Sequence, residues 1–220
     1  MATPLNATAE WHCRGRLPHW EAGEVAQSIT FRLADSLPRA VLEGLLAGGG
    51  PGARAPRPRP LTPAARRARF EALLDAGHGD GILANPAVAA IVQDTLLRFD
   101  GEKYSLHARC VMPNHVHVLA TPLNAASLSS ITHSWKSFTA KAINVRLNRA
   151  GPVWFEEYFD RAIRDDAHFE AAKFYIEDNP VKAGLCARAA DWAYSSAAAW
   201  KDAGGAPALL ALTTPRSPWP

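Results

Sequence analysis

Apolar and polar residues alternate along three stretches of the chain, and this period of two predicts β-strands. The stretches are residues 25–34, 103–112 and 115–122, and a fourth strand is predicted in the aromatic segment 153–163. Only a short link containing Pro113 and Asn114 separates the second strand from the third, so we expect these two to form a hairpin. In the second strand, four residues are expected to share one face: Tyr104, Leu106, Ala108 and Cys110.

Five other stretches repeat apolar residues every three or four positions, which predicts amphipathic helices. They cover residues 36–47, 62–76, 85–100, 127–148 and 165–178. We expect the last helix to end at Asn179-Pro180, because proline disfavours helical geometry in the residue before it. The core face of the fourth helix is predicted to consist of Ile131, Trp135, Phe138, Ala142 and Val145.

The length of 220 residues is enough for one domain with a sizeable core. No run of about 18 apolar residues occurs, so we expect no membrane span. The first residues lack the basic start and apolar stretch of a secretory signal. The three cysteines are widely spaced, which suggests free thiols in a reducing cytoplasm.

The net charge of +3 is small, but positive charge is concentrated in one segment. Residues 54–69 contain no acidic residue and six arginines: Arg54, Arg57, Arg59, Arg66, Arg67 and Arg69. Such a run favours a polyanion partner, although a solvated basic linker has the same composition. The surface of the fourth predicted helix is also basic, through Lys136, Lys141 and Arg146.

Two histidines flank one valine within residues 111–120, at the start of the third predicted strand. Because side chains alternate between the faces of a strand, His115 and His117 point one way and Val116 points the other. Two imidazoles on one face lie close enough to share a divalent ion. Polar residues on a solvated strand face would produce the same pattern.

The last predicted helix carries a phenol and a carboxamide on one side, because Tyr175 and Asn179 are four residues apart. A tyrosine at the rim of the core followed by a capping asparagine would also explain this pair. Next to two imidazoles, however, an amide oxygen can complete a site for Mg²⁺ or Mn²⁺. A tyrosyl oxygen beside such a site can attack phosphorus and form a covalent intermediate.

Several segments resemble, in the same order, those of the REP-associated tyrosine transposases. This branch belongs to the single-tyrosine transposases with a His-hydrophobe-His signature. The segments are residues 31–38, 111–118, 136–141, 152–165 and 175–185, and the resemblance covers about residues 25–200.

The resemblance implies an α+β fold: an antiparallel sheet of about four or five strands flanked by helices, as in ferredoxin and RRM domains. It implies a metal-dependent endonuclease and strand transferase that acts on single-stranded DNA with palindromic or hairpin elements. It makes His115 and His117 ligands of Mg²⁺ or Mn²⁺, and Tyr175 the nucleophile that forms a 5′-phosphotyrosine link. Asn179 becomes the third ligand, where many relatives carry the longer glutamine.

The same resemblance divides the chain into a lead-in (1–24), a transposase catalytic domain (25–200) and a flexible tail (201–220). Residues 48–85 form an arginine- and proline-rich insertion that we expect to contact phosphates. We expect a monomer or homodimer in the bacterial cytoplasm, associated with the nucleoid.

Alternatives remain open at three points. Tyr158 is a rival nucleophile, although its aromatic surroundings favour a place in the core. Trp135 and Trp154 could stack on unpaired bases, but a core position is expected for both. The chain could also be a domesticated protein that binds DNA or RNA hairpins without cleaving them. A zinc hydrolase is disfavoured, because the chain has no His-Glu-x-x-His helix.

Overall fold

The computed structural model describes residues 10–13, 18–21, 23–37 and 62–201. The strands within these residues are β1 (Glu10–Cys13), β2 (Pro18–Glu21), β3 (Gln27–Arg32), β4 (Tyr104–Val111), β5 (His115–Pro122) and β6 (Phe159–Ala162). The helices are α1 (Pro63–Asp75), α2 (Pro86–Leu97), α3 (Leu128–Arg146) and α4 (Asp166–Lys182).

Four of these strands form an antiparallel sheet in the order β4-β5-β3-β6. The hairpin of β4 and β5 forms as predicted, and β5 also pairs with β3. This register places Thr30 opposite His117 and Arg32 opposite His115. The predicted α+β fold is confirmed.

The two faces of the sheet carry separate apolar layers. Helices α2 and α3 cover one face, where Phe31, Val116 and Val118 pack in a single cluster with Trp135. Helix α4 covers the other face and packs Ala172 and Ile176 in a cluster with Leu119. Since His115 and His117 alternate with the two valines along β5, they lie on the α4 face.

A β-bulge contradicts the prediction that four residues of β4 share one face. Pairing between β4 and β5 shifts between Leu106 and Ala108, which makes His107 the extra residue. Tyr104 and Leu106 therefore pack in the layer below α2 and α3, whereas Ala108 and Cys110 pack in the layer below α4.

The predicted core face of α3 is wrong at two positions. Phe138 is 54% exposed and Val145 is 83% exposed. The buried face instead consists of Leu128, Ile131, Thr132, Trp135, Thr139 and Ile143. Both threonine hydroxyls donate to the backbone carbonyl four residues earlier, which satisfies them inside the core.

The last strand and the last helix also differ from the prediction. Strand β6 begins only at Phe159, and Trp154 forms an isolated bridge with Leu33. Helix α4 continues through Pro180 to Lys182 instead of ending before the proline. Asn179 therefore remains on the helix, one turn after Tyr175.

The paired strands β1 and β2 lie in the predicted lead-in, where the sequence pattern indicated no element. The predicted helix 36–47 from residue 38 onward, the segment 48–61 and the tail after residue 201 lie outside the described residues. None of the helices in the described ranges is long and apolar enough to span a membrane.

Candidate active site

The two histidines of β5 face each other in the interior of the protein. The Nε2 atoms of His115 and His117 are 2.9 Å apart, and their ring planes are nearly perpendicular, at 87°. The residues are 1% and 2% exposed, respectively, so they do not lie on a solvated strand face. This burial removes the simplest alternative explanation for the His-Val-His pattern.

The outer nitrogens of both rings have fixed partners. Asn114 directs its side-chain oxygen at His115 Nδ1, at 2.7 Å, because its amide nitrogen donates to the carbonyls of Leu74 and His78. His115 Nδ1 must therefore donate, which leaves its Nε2 as an acceptor. The proton between the two rings then belongs to His117 Nε2, and His117 Nδ1 accepts from the Thr30 hydroxyl at 2.8 Å.

This arrangement is compatible with a metal ligand role for both rings. The threonine hydroxyl can donate or accept, so it can also support the opposite tautomer of His117, in which Nε2 is free. Burial lowers the pKa of His117 to about 3, with a further contribution from the positive charge of Lys182. Burial, followed by the charge of His117, lowers the pKa of His115 well below its usual value. Both rings are therefore neutral at neutral pH, as metal ligation requires.

Helix α4 brings Tyr175 to the same place. The Tyr175 ring centre is 5.8 Å from that of His117, and the Lys182 ammonium lies 4.2 Å from the Tyr175 ring centre. Burial raises the pKa of the phenol, and the negative charges of Glu71 and Asp75 raise it further. The hydroxyl is hydrogen-bonded to Glu71 and stays protonated at neutral pH.

Asn179 is fully buried beside this tyrosine. Its amide lies close enough to the phenol to oppose, weakly, the rise in the pKa of Tyr175. Nevertheless, neither its oxygen nor its nitrogen has a partner with full hydrogen-bond geometry among the described residues. A buried amide without such partners is costly, and a ligand for its oxygen would remove part of that cost.

The donor atoms fit a divalent ion in part. Two ligand atoms at right angles on one ion, each about 2.1 Å from it, lie about 3.0 Å apart, close to the separation of the two Nε2 atoms. In the described part of the chain, however, no three His, Cys, Asp or Glu side chains form a ready metal site. To hold a divalent ion, the imidazole pair thus requires a further ligand, either the Asn179 amide or a carboxylate.

Other predicted contact residues lie elsewhere. Lys141 and Arg146 are exposed on α3, and the ammonium of Lys136 donates to the Glu156 carbonyl. Trp135 and Trp154 are buried in the core, as expected, and donate to the Tyr104 and Thr139 hydroxyls. Arg54, Arg57 and Arg59, and the side chains of Arg66 and Arg67, lie outside the described residues.

Helix α1 also reaches the site, which the sequence pattern did not indicate. Burial raises the pKa of Asp75, the last residue of α1, to about 6, although Lys182 acts in the opposite direction. Its Oδ1 atom lies 3.9 Å from His115 Nε2. The sequence held no signal for this role, because by helical periodicity Asp75 lies away from the apolar face of the predicted helix 62–76.

Comparisons with known proteins give a family match and a similar fold. Residues 87–179, which include both histidines, Tyr175 and Asn179, match the model of the family described as IS200-like transposases. Among solved structures, a REP-associated tyrosine transposase bound to a REP hairpin matches with a TM-score of 0.55 and 16% sequence identity, over 86% of each chain. No protein with a curated description matches.

These findings confirm the resemblance recognised from the sequence motifs. Over residues 87–179 the chain matches the IS200-like transposase family, and its fold is that of a REP-associated tyrosine transposase.

Proposed function

We propose that this protein is a metal-dependent endonuclease and strand transferase of single-stranded DNA that carries hairpins, with Tyr175 as its nucleophile. One observation carries the proposal: Tyr175 and the His115–His117 pair, which come from α4 and β5, meet in one buried cluster. The family match and the hairpin bound to the structural neighbour support the choice of substrate.

The proposed reaction transfers a phosphoryl group to the protein. The Tyr175 oxygen attacks phosphorus, the bond from phosphorus to the 3′ oxygen of the upstream strand breaks, and that oxygen takes up a proton. The downstream strand then remains attached to Tyr175 through its 5′ phosphate. Attack by a second 3′ hydroxyl on this link rejoins DNA and releases the tyrosine.

The residues around Tyr175 have distinct roles in this reaction. The Glu71 carboxylate is hydrogen-bonded to the phenol and would receive its proton during attack. The Lys182 ammonium, beside the ring, would attract the substrate phosphate and stabilise the developing negative charge. His115, His117 and Asn179 would hold Mg²⁺ or Mn²⁺, which when bound polarises the phosphodiester.

The exposed cations of α3 would contact the DNA backbone away from the reacting phosphate. Lys141 and Arg146 are exposed on that helix. We expect these two side chains and the arginines of residues 54–67 to contribute electrostatic attraction to the affinity for DNA. This contribution should fall as the salt concentration rises.

A cleavage assay on an end-labelled single strand containing a hairpin tests the proposed activity. The wild-type protein should cut at a defined position with Mn²⁺ or Mg²⁺ and not after chelation, and His115→Ala should reduce cutting by about a hundredfold or more. His133→Ala is the matched control, because His133 is an exposed histidine of α3, and it should cut normally. Binding without cleavage at every metal concentration would favour the non-cleaving hairpin binder instead.

A further inference from the structure

Helix α1 places a carboxylate beside the histidine pair. Asp75 Oδ1 is buried, lies 3.9 Å from His115 Nε2, and has no hydrogen-bond partner among the residues described. An unsatisfied buried carboxylate oxygen destabilises a protein unless a cation or a donor reaches it. The proposed function does not use this oxygen.

The position of Asp75 is tied to that of the histidines. The Asn114 amide nitrogen donates to the carbonyls of Leu74 and His78, on both sides of Asp75, and the same side chain bonds to His115. The following turn is held as well, because the Asp80 backbone N–H donates to the Asp35 carboxylate at 2.8 Å. The buried Asn114 side chain thus links the end of α1, where Asp75 lies, to the start of β5.

The packing of Gly79 fixes this turn further. Its φ of +88° is in the left-handed region, and a Cβ atom at this position would lie only 2.8 Å from the Asp35 carbonyl oxygen. The turn after α1 is therefore closely fitted against the end of β3. This fit restricts how far the backbone of Asp75 can move from His115.

The distance and the chemistry of this oxygen suit a metal ligand. Two ligand atoms about 2.1 Å from one ion are separated by about 3.0 to 4.2 Å, depending on the angle between them. The separation of Asp75 Oδ1 from His115 Nε2 lies within that range. Two neutral imidazoles and an amide bring no negative charge, whereas Mg²⁺ and Mn²⁺ prefer sites with carboxylate oxygen.

We propose that Asp75 is a further ligand of the divalent ion held by His115 and His117. The inference rests on the proposed function, since it concerns the same ion. Since the three side chains do not form a ready site as they stand, this role requires the Asp75 carboxylate to move toward the ion when the ion binds. Helix α1, which belongs to the predicted insertion, then contributes directly to the catalytic centre.

A different role for Asp75 is that of a counter-ion to Lys182, whose charge acts on its carboxyl group. A counter-ion would affect folding and the environment of Lys182, but it would leave the affinity for a metal ion unchanged or improve it. Metal affinity measured without DNA therefore separates the two roles.

The experiment is a titration of the full-length protein with Mn²⁺ alone, in which free Mn²⁺ is measured by electron paramagnetic resonance. Asp75→Asn, which keeps the shape of the side chain, should weaken binding about tenfold or more, and Asp75→Glu should recover part of the loss. His115→Ala should weaken binding at least as much. Asp94→Asn, in an exposed aspartate of α2, should bind as the wild type does.

The outcomes distinguish this inference from the function on which it rests. Wild-type Mn²⁺ affinity in Asp75→Asn together with weak binding in His115→Ala would overturn the role of Asp75 and leave the histidine site intact. Wild-type affinity in both variants would overturn the histidine site and the role of Asp75 together. Thermal unfolding of each variant confirms that the compared proteins are folded.

Discussion

In the proposed metal site, the hydroxyl of Thr30 and the amide of Asn114 would determine which nitrogens of the two histidines can bind an ion. Thr30 contacts Nδ1 of His117, and Asn114 contacts Nδ1 of His115. Groups that orient a histidine ligand in this way commonly change metal affinity by about ten- to a hundredfold when they are removed.

The substitution Thr30→Val tests this role, because valine has nearly the same shape but lacks the hydroxyl. We expect Mn²⁺ affinity to fall about tenfold, since the tautomer of His117 with a free Nε2 loses its partner at Nδ1. The chain offers a close control: Thr121 bonds to His107 Nε2 at 2.8 Å in the same sheet. An equal fall in affinity for Thr121→Val would show that the effect is not specific to the site.

Single residues of the site differed in how well the sequence predicted them. Alternation along β5 was enough to place His115 and His117 on one face, because period two is a local property of a strand. Spacing on a helix likewise predicted that Tyr175 and Asn179 lie on the same side. Asp75 and Thr30 could not be predicted, because their contacts with the histidines depend on how elements distant in sequence pack together.

At the scale of elements, α3 shows how polarity can conceal a buried face. Thr132 and Thr139 are buried because their hydroxyls bond to the helix backbone, and a hydrophobic pattern counts them as surface residues. Phe138 and Val145 were predicted to lie in the core because they are apolar, but both are exposed. The helix was therefore predicted correctly in extent but rotated about its axis.

This rotation gives a direct stability test on α3. Ile143→Ala should destabilise the protein by about 2 to 5 kcal/mol, because Ile143 is fully buried. Val145→Ala, two residues away and 83% exposed, should change the free energy of unfolding by less than about 0.5 kcal/mol. Urea unfolding of the two variants provides the comparison, and equal destabilisation would contradict the assigned face.

The continuation of α4 through Pro180 affects the position of Asn179 in the proposed site. Proline lacks the backbone N–H, so the helix loses one hydrogen bond at Pro180. The Pro180 side chain is nevertheless buried in the folded protein. Because the helix continues, Asn179 remains at a fixed offset from Tyr175. The local rule that predicts a helix end before proline was overridden by tertiary packing.

At the scale of the whole molecule, the fold class was predictable and the assembly of the site was not. Periodicity located most strands and helices, and the motif resemblance supplied the antiparallel arrangement. The meeting of α1, β3, β5 and α4 around one cluster required the three-dimensional structure. Even so, the cluster brings together every residue that the resemblance assigned to catalysis: His115, His117, Tyr175 and Asn179.

The central claim is that Tyr175 becomes covalently linked to DNA, and mass spectrometry of the protein–DNA adduct tests it most directly. After incubation with Mn²⁺ and a hairpin-containing single strand, the wild-type protein should form a denaturant-resistant adduct that maps to the peptide containing Tyr175. Tyr175→Phe should bind the same DNA and form no adduct, whereas Tyr158→Phe should form it normally. An adduct with Tyr175→Phe, or a nucleotide on the peptide containing Tyr158, would contradict the assignment.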